Sequence, residues 1–364
     1  MSLRDIIDKT LSDWMKGDGP ESDIVLSSRV RLARNLAGVP FPGAAQDEQL
    51  KQVMESARKA GTDNEILQGA EFVRLAELPL LERQLLLEKH LISPQQTQNV
   101  KYKAVVVRGD ESISIMINEE DHFRIQALFP GLQPLEAWRW CSQADDAFAQ
   151  RLEYAISPEI GYLTACPTNV GTGMRASIMM HMPALVMTDQ MKRVVSAVAQ
   201  FGLTVRGIYG EGTDVSGNIF QISNQVTLGQ TEEEIIQHLL DVTRQIISQE
   251  RAAREHVLKQ NKDVLEDRVF RSYGVLTNAR LISTQEAMKL LSDVRLGIDM
   301  QLLHGLEPRI LQELLVMIRP AHLQQLMGQQ LDAPHRDAYR ASLIRERMQP
   351  APPKTGDTGL AKEG

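Results

Sequence analysis

YLTACPTNVGTGMRASIMMHMP, residues 162–183, is the most legible stretch of this 364-residue chain. Residues 162–166 read as a short strand and 171–173 as a glycine-rich turn. Residues 175–182 read as a second strand, with Pro183 forcing extended geometry on Met182. A helix is expected from Thr188 or Asp189 to Gly202, burying Val194, Val195, Val198 and Phe201. Residues 203–208 and 218–225 return to strand.

Working outward, residues 23–32 alternate like a strand, and residues 46–59 and 80–92 are helical in pattern, the second stopped by Pro94. Residues 102–108 and 112–118 form a hairpin across Gly109, Asp110 and Glu111, and residues 135–154 read as helix. After residue 230 the character changes. Thr231 and Glu234 form a capping box opening a long helix whose stripe includes Ile235, Leu239, Val242, Ile246 and Ile247. Ser283 and Glu286 form a second box. The expectation is an α/β domain over residues 1–240, an all-α domain over 241–348, and a disordered Pro-, Gly-, Lys- and Thr-containing tail over 349–364. No internal repeat is present.

Composition excludes several classes. Hydrophobic residues make up 43% and charged residues 24%, as in ordinary globular proteins. No apolar run approaches the ~20 residues of a membrane span, and the N-terminus lacks a signal-peptide apolar core. Cys141 and Cys166 have no partners at metal-ligand spacing, which points to a reduced, cytoplasmic setting without a protein metal site. A net charge of −7 argues against general nucleic-acid binding. There is no P-loop and no set of Gly-rich loop, H-R-D and D-F-G.

Four segments carry candidate chemistry. In SSRVRLARN (27–35), Arg29 and Arg31 lie two apart and so project from one strand face, where two guanidinium forks suit a polyphosphate; a solvated strand face has the same pattern. In NEEDHFR (118–124), Glu119 and Glu120 would point to opposite sides of an extended backbone, so one carboxylate could clamp a guanidinium; a charged hairpin end reads alike. Cys166 ends an apolar strand before a glycine-rich turn, where it could be a tuned thiolate or a small buried residue, and Arg175 opens a strand otherwise largely apolar. In RGIYGEG (206–212), Arg206 ends a strand and Glu211 sits in a loop that Gly207, Gly210 and Gly212 leave free to close over a ligand.

Taken together and in this order, SSRVRLAR, NEEDHFR, CPTNVGTGMRAS and RGIYGEG resemble the phosphagen (guanidino) kinase family over roughly residues 20–230. The resemblance implies a largely antiparallel sheet flanked by helices, with ATP and Mg²⁺ as cofactors. It implies that Arg29, Arg31, Arg124, Arg175 and Arg206 surround the ATP phosphates, with Ser27 and His90 also at the nucleotide. Glu120 is then the catalytic carboxylate, Glu211 the second carboxylate on the guanidinium, and Cys166 the reactive cysteine beside it. Chemistry agrees: phosphoryl transfer is mainly positioning and charge stabilisation, and a guanidinium needs carboxylates to hold its fork and take its proton.

Small-molecule members of the family place an all-helical domain before the ATP-binding core. Here SSRVRLAR begins at Ser27, and a helical extension follows the core instead. RSYGVL (271–276), SDVRLG (292–297) and RDAYRASLIRERM (336–348) resemble the family's bacterial branch that phosphorylates arginine residues in proteins. That resemblance implies phosphoarginine recognition by Arg336, Asp337 and Arg340, the two arginines lying one helical turn apart; a charged amphipathic helix has the same pattern. It also implies protein substrates with exposed arginines, a Clp unfoldase-protease, a zinc-binding activator protein and the heat-shock repressor as partners, and a homodimer or larger assembly. A free-arginine kinase and an inactive phosphoarginine-binding adaptor are the alternatives.

Overall fold

Alternation in residues 25–34 sends Val30 and Leu32 to one side of a strand and Arg29 and Arg31 to the other. The fold is organised around that division. In a computed structural model, residues 3–61, 65–207 and 216–348 are described. The strands are β1 (Val25–Arg34), β2 (Glu71–Arg74), β3 (Ala104–Val107), β4 (Ile113–Ile117), β5 (Phe123–Pro130), β6 (Ile156–Ser157), β7 (Gly161–Tyr162), β8 (Met174–His181), β9 (Leu203–Gly207) and β10 (Ile219–Asn224). Strands β6 and β7 pair as a small hairpin, and the other eight form one sheet in the order β2-β3-β4-β5-β1-β8-β10-β9. Every pairing in it is antiparallel.

One face is apolar. Val30, Leu32, Ile125, Ala127, Ala176, Ile178, Phe220 and Ile222 join a single core with buried residues of five helices. Among the helices α1 (Leu3–Asp8), α2 (Asp47–Ala60), α3 (Leu80–Glu88), α4 (Pro134–Ala149), α5 (Pro183–Met187), α6 (Met191–Gln200) and α7 (Glu232–Gln260), these five are α2, α4, α5, α6 and α7. On the opposite face, Val73, Val105, Val107 and Met116 pack under Ile6 of α1 and Leu86 of α3.

Helices α8 (Lys262–Asn278), α9 (Thr284–Asp299), α10 (Pro308–Met317), α11 (Pro320–Met327) and α12 (Ala333–Arg347) build a second core. That core includes Leu26, Met179 and Ile219 of the sheet, so the helical region packs on the end of the face that carries Arg29 and Arg31.

Several boundaries differ from the sequence expectation. Helix α7, opened by the expected Thr231–Glu234 capping box, runs unbroken through residue 240 to Gln260, so the expected border falls inside one helix. Its stripe stays on the sheet core as far as Ala253 and joins the second core at Val257, before the chain turns at Asn261. Helix α3 ends at Glu88, because the chain reverses at His90 with φ +61°. Pro183 starts α5 at the first helical position, where a missing N–H is no loss. The stretch after Tyr162 is not strand: Pro167–Asn169 forms one tight helical turn. At the sheet edge, α6 buries Val194 and Val198 while Val195 and Phe201 stay exposed, since an edge strand can cover only one helical stripe.

Candidate active site

Strand register gathers the arginines. Arg31 pairs directly with Arg175 across β1 and β8, Ala33 pairs with Arg124 of β5, and Gln221 of β10 pairs with both Met179 of β8 and Arg206 of β9. Because directly paired residues share a face, Arg29, Arg31, Arg124, Arg175 and Arg206 all project from the non-core side of the sheet. Gln126, Ser177, Gln221 and Ser223 lie between them on that side. Arg29 Nη2 donates to Gln221 Oε1 at 3.0 Å, and Arg175 Nη2 to Ser223 Oγ at 3.4 Å. Gln221 and Ser223 went unnoticed in the sequence, although the alternation of IFQISN (219–224) carries the signal.

So many cations on one face repel one another. Burial, and then Arg29, Arg124 and Arg175, push Arg31 well below the ordinary guanidinium value. Burial, Arg206 and Arg124 act on Arg175 in the same direction. Nε of Arg31 and Nε of Arg175 are buried without a hydrogen-bond partner among the described residues. A guanidinium does not escape such a field by losing its proton. Compensation calls for an anion with several oxygens, which fits a polyphosphate.

The 118–122 segment is a turn, not an extended run, and four of its five side chains are engaged inside the protein. Asn118, at φ +56°, donates to the carbonyls of Leu50 and Tyr102 at 2.8 Å each. Glu119 accepts Arg124 Nη1 on both oxygens, at 2.7 and 2.6 Å, and accepts Ser93 Oγ as well. Burial pushes its carboxyl up, but Arg124, Ser93 and the Glu120 N–H outweigh that and hold it below the usual range. Asp121 accepts from Asn35 Nδ2 and the Ala165 N–H, both at 2.6 Å. His122 Nδ1 accepts the Leu36 N–H at 3.0 Å, and burial lowers its pKa to about 4. Glu120 is the exception. It is half-buried, and burial with Asp121 raises its pKa above the usual carboxylate value. A carboxylate raised in this way is a better proton acceptor.

Asp121 also ties this turn to the cysteine loop through Ala165. Cys166 is partly exposed, with Sγ 3.0 Å from Thr168 Oγ1, and its charge would be felt by Arg175. The loop is clamped by Thr227 Oγ1, which donates to the carbonyls of Thr168 and Val170 at 3.0 and 2.7 Å. Gly171, at φ +110°, passes so close to Thr227 that a Cβ would meet its carbonyl oxygen at 2.4 Å. Only glycine fits there. Arg34, on the core side of β1, is not part of the cluster: it pairs with Asp145 at 2.7 Å, stacks on Tyr162 and donates to the Thr172 carbonyl.

Ser27, Arg29 and His90 line one small cavity with Trp14, Ser177 and Gln221. The His90 ring meets Trp14 edge-on at 5.3 Å, and burial, Arg319 and Arg29 keep it well below the ordinary imidazole pKa. Glu211 lies outside the described residues. Among the described residues, no group of His, Cys, Asp or Glu is arranged to hold a metal ion, and no helix is long and apolar enough to cross a membrane.

In α12 the two arginines of the 336–341 motif have different surroundings. Arg340 is buried, donating from Nε to Ile318 O and from Nη1 to Ile282 O at 2.8 Å each, and pairing with Asp337. Arg336 is partly exposed and donates to Leu331 O at 2.6 Å. The expected pair therefore does not present two guanidiniums side by side. Arg340 fastens three segments of the helical region together.

Residues 50–253 match the family model described as ATP:guanido phosphotransferase, C-terminal catalytic domain, and residues 262–358 match the protein-arginine kinase McsB C-terminal domain. A protein-arginine kinase of Pelotomaculum thermopropionicum is 52% identical over 348 residues, covering 95% of this chain and 98% of the relative. That of Bacillus subtilis is 50% identical over 350 residues, covering 96% of each. Among solved structures, a lombricine kinase aligns with TM-score 0.56 at 24% identity, covering 65% of this chain and 68% of that one. The duplicated taurocyamine kinase from Schistosoma mansoni aligns with TM-score 0.58 at 24% identity, covering 65% and 34%. These two likenesses establish the phosphagen-kinase fold. The chain belongs to the ATP:guanido phosphotransferase family and, within it, to the protein-arginine kinases.

Proposed function

We propose that this protein transfers the γ-phosphoryl group of ATP to a guanidino nitrogen of arginine residues in proteins. The observation that carries the reading is the face of five arginines with two orphaned Nε atoms, bordered by the one uncommitted carboxylate of the 118–122 turn. Arg29, Arg31, Arg124, Arg175 and Arg206 hold the phosphates, with Ser27 and His90 at the nucleotide. Mg²⁺, for which the described residues offer no cluster of His, Cys, Asp or Glu, would arrive with the nucleotide and would add positive charge at the transferring group.

Glu120 orients the target guanidinium and accepts its proton. As the N–P bond forms, the bond from the γ-phosphorus to the leaving ADP oxygen breaks, and the arginines take up the charge on ADP. Cys166 as thiolate places negative charge on another side of the guanidinium, and Glu211 supplies a second carboxylate. The product is a phosphoramidate. Arg336, Asp337 and Arg340 form the phosphoarginine-reading part, which requires Arg340 to exchange some of its present partners. The cellular reading is a cytoplasmic enzyme of the stress response that marks proteins for a Clp unfoldase-protease. It acts as a homodimer or larger assembly, with a zinc-binding activator protein and the heat-shock repressor as partners.

The test is incubation with ATP and Mg²⁺ plus either an unfolded protein or free arginine. Acid-labile phosphate on protein arginines supports the proposal. Phosphate on free arginine alone would replace it with a small-molecule kinase, and phosphate on neither with a binding adaptor.

A further inference from the structure

Three consecutive residues at the end of α3 reach into three different parts of the molecule. Glu88 turns to the helical region: its carboxylate accepts the N–H groups of Ala321 and His322 at 2.9 and 3.0 Å and His322 Nδ1 at 2.8 Å. It thereby caps the start of α11, offsetting donors that a helix leaves unpaired. Lys89, fully buried, donates to Ile6 O at 2.6 Å and to Lys9 O, and pairs with Glu111. His90 forms part of the wall of the cavity shared with Ser27 and Arg29. Its carbonyl accepts Gln126 Nε2 at 2.7 Å, which fixes it over β5.

Little slack separates Glu88 from His90. The His90 N–H donates to Leu87 O at 3.0 Å and the Leu91 N–H to Leu86 O at 2.9 Å, so the reversal at φ +61° is hydrogen-bonded on both sides. Ala321 also packs on Leu85 of α3 and Ile7 of α1. Arg319, at the entry to α11, is near enough to act on the His90 ring electrostatically. Glu88, bonded to α11, and His90 in the cavity wall are thus separated by one residue.

We propose that Glu88 is a positioning residue for phosphoryl transfer: by gripping α11 it lets the C-terminal helical region set the place of His90, and with it the affinity for ATP. The inference rests on the reading of His90 as a nucleotide contact.

Steady-state kinetics of the full-length protein, with ATP and an unfolded protein substrate, tests it in Glu88→Ala, Glu88→Gln, His322→Ala and His90→Ala. The expected result for Glu88→Ala is a KM for ATP raised about 3- to 10-fold, with kcat within about twofold and KM for the protein substrate unchanged. Glu88→Gln keeps one acceptor oxygen and falls between, and should carry the comparison if the alanine variant does not fold. His322→Ala should move KM for ATP in the same direction. Combined with His90→Ala, the Glu88 change should add little, since both act through one contact. A purely structural role would lower kcat with the active fraction and leave KM for ATP in place, which overturns the proposal. If His90→Ala raises KM for ATP and the Glu88 variants do not, the link is wrong and the nucleotide reading stands. If His90→Ala changes nothing, the nucleotide reading of His90 fails and takes the proposal with it.

Discussion

Arg31 and Arg175 stand directly opposite each other across the β1–β8 pairing, each with a buried Nε that no described residue satisfies. Like charges facing each other across a ladder destabilise a sheet. Under the proposed function, the nucleotide brings the compensating charge that makes the pair tolerable. Arg31→Ala should therefore leave the thermal midpoint of the nucleotide-free protein unchanged or raised, while shrinking the rise produced by saturating ATP and Mg²⁺. Calorimetry with and without nucleotide checks both halves; a large loss of stability without nucleotide would refute the repulsion argument.

Glu120→Gln should lower kcat by about 10²- to 10⁴-fold, measured as phosphate transferred to protein arginines, with the fold intact. The wild-type rate should fall on acidification through a pKa above the usual carboxylate value, because Glu120 must be ionised to act as the proposed base. Stability has the opposite sign. A carboxyl whose folded pKa is raised loses its stabilising contribution as pH rises through that pKa. At neutral pH Glu120→Gln should thus be at least as stable as wild type, and the difference should vanish below the ordinary glutamate pKa. A clear destabilisation at neutral pH would show that Glu120 is held by partners.

His122 supplies a second pH dependence. Its folded pKa is lowered to about 4 by burial, so the neutral ring contributes stability above its ordinary pKa that is lost as pH falls from about 6.5 to about 4. The full span is on the order of 3 kcal/mol. Denaturant titrations across that window should show the slope, and His122→Asn should flatten it at the expense of stability at neutral pH.

Gly171→Ala places a methyl 2.4 Å from the Thr227 carbonyl at φ +110°. A loss of about 1–3 kcal/mol is expected, with a fall in kcat as the Cys166 loop moves. Chemical denaturation and kinetics of the one variant check the two effects; wild-type stability would mean that the loop has another resting place.

The two α12 arginines should separate. Arg340→Ala removes a buried guanidinium from two carbonyls and an aspartate, and should cost about 2–4 kcal/mol in thermal or denaturant unfolding. Arg336→Ala should cost well under 1 kcal/mol while weakening binding of a phosphoarginine peptide. Equal stability losses in the two variants would contradict the burial difference.

Local signals named the antiparallel pieces and the Thr231–Glu234 capping box, because both are encoded within a few residues, whereas at Ser283 only the N-cap half of the expected box forms, its hydroxyl accepting the Glu286 N–H. They overran α3, since nothing in residues 89–92 announces the reversal at His90. They put residue 240 at a border that α7 crosses, since a helix that leaves one core for another need not change its pattern. Glu119 and Glu120 are adjacent and chemically identical. What separates them is long-range: Arg124 and Ser93 engage Glu119 and leave Glu120 uncommitted. Arg336 and Arg340 likewise share a motif but not a degree of burial.

By itself, then, the sequence determined the family, the chemistry-bearing residue types and the order of the four segments that carry them. Tertiary structure decided that five arginines from four strands share one face, which carboxylate stays uncommitted, and that Glu88 meets α11. The physical reason is range. Side-chain alternation is set by backbone geometry over two residues, whereas convergence depends on strand register and on packing between segments far apart in the chain.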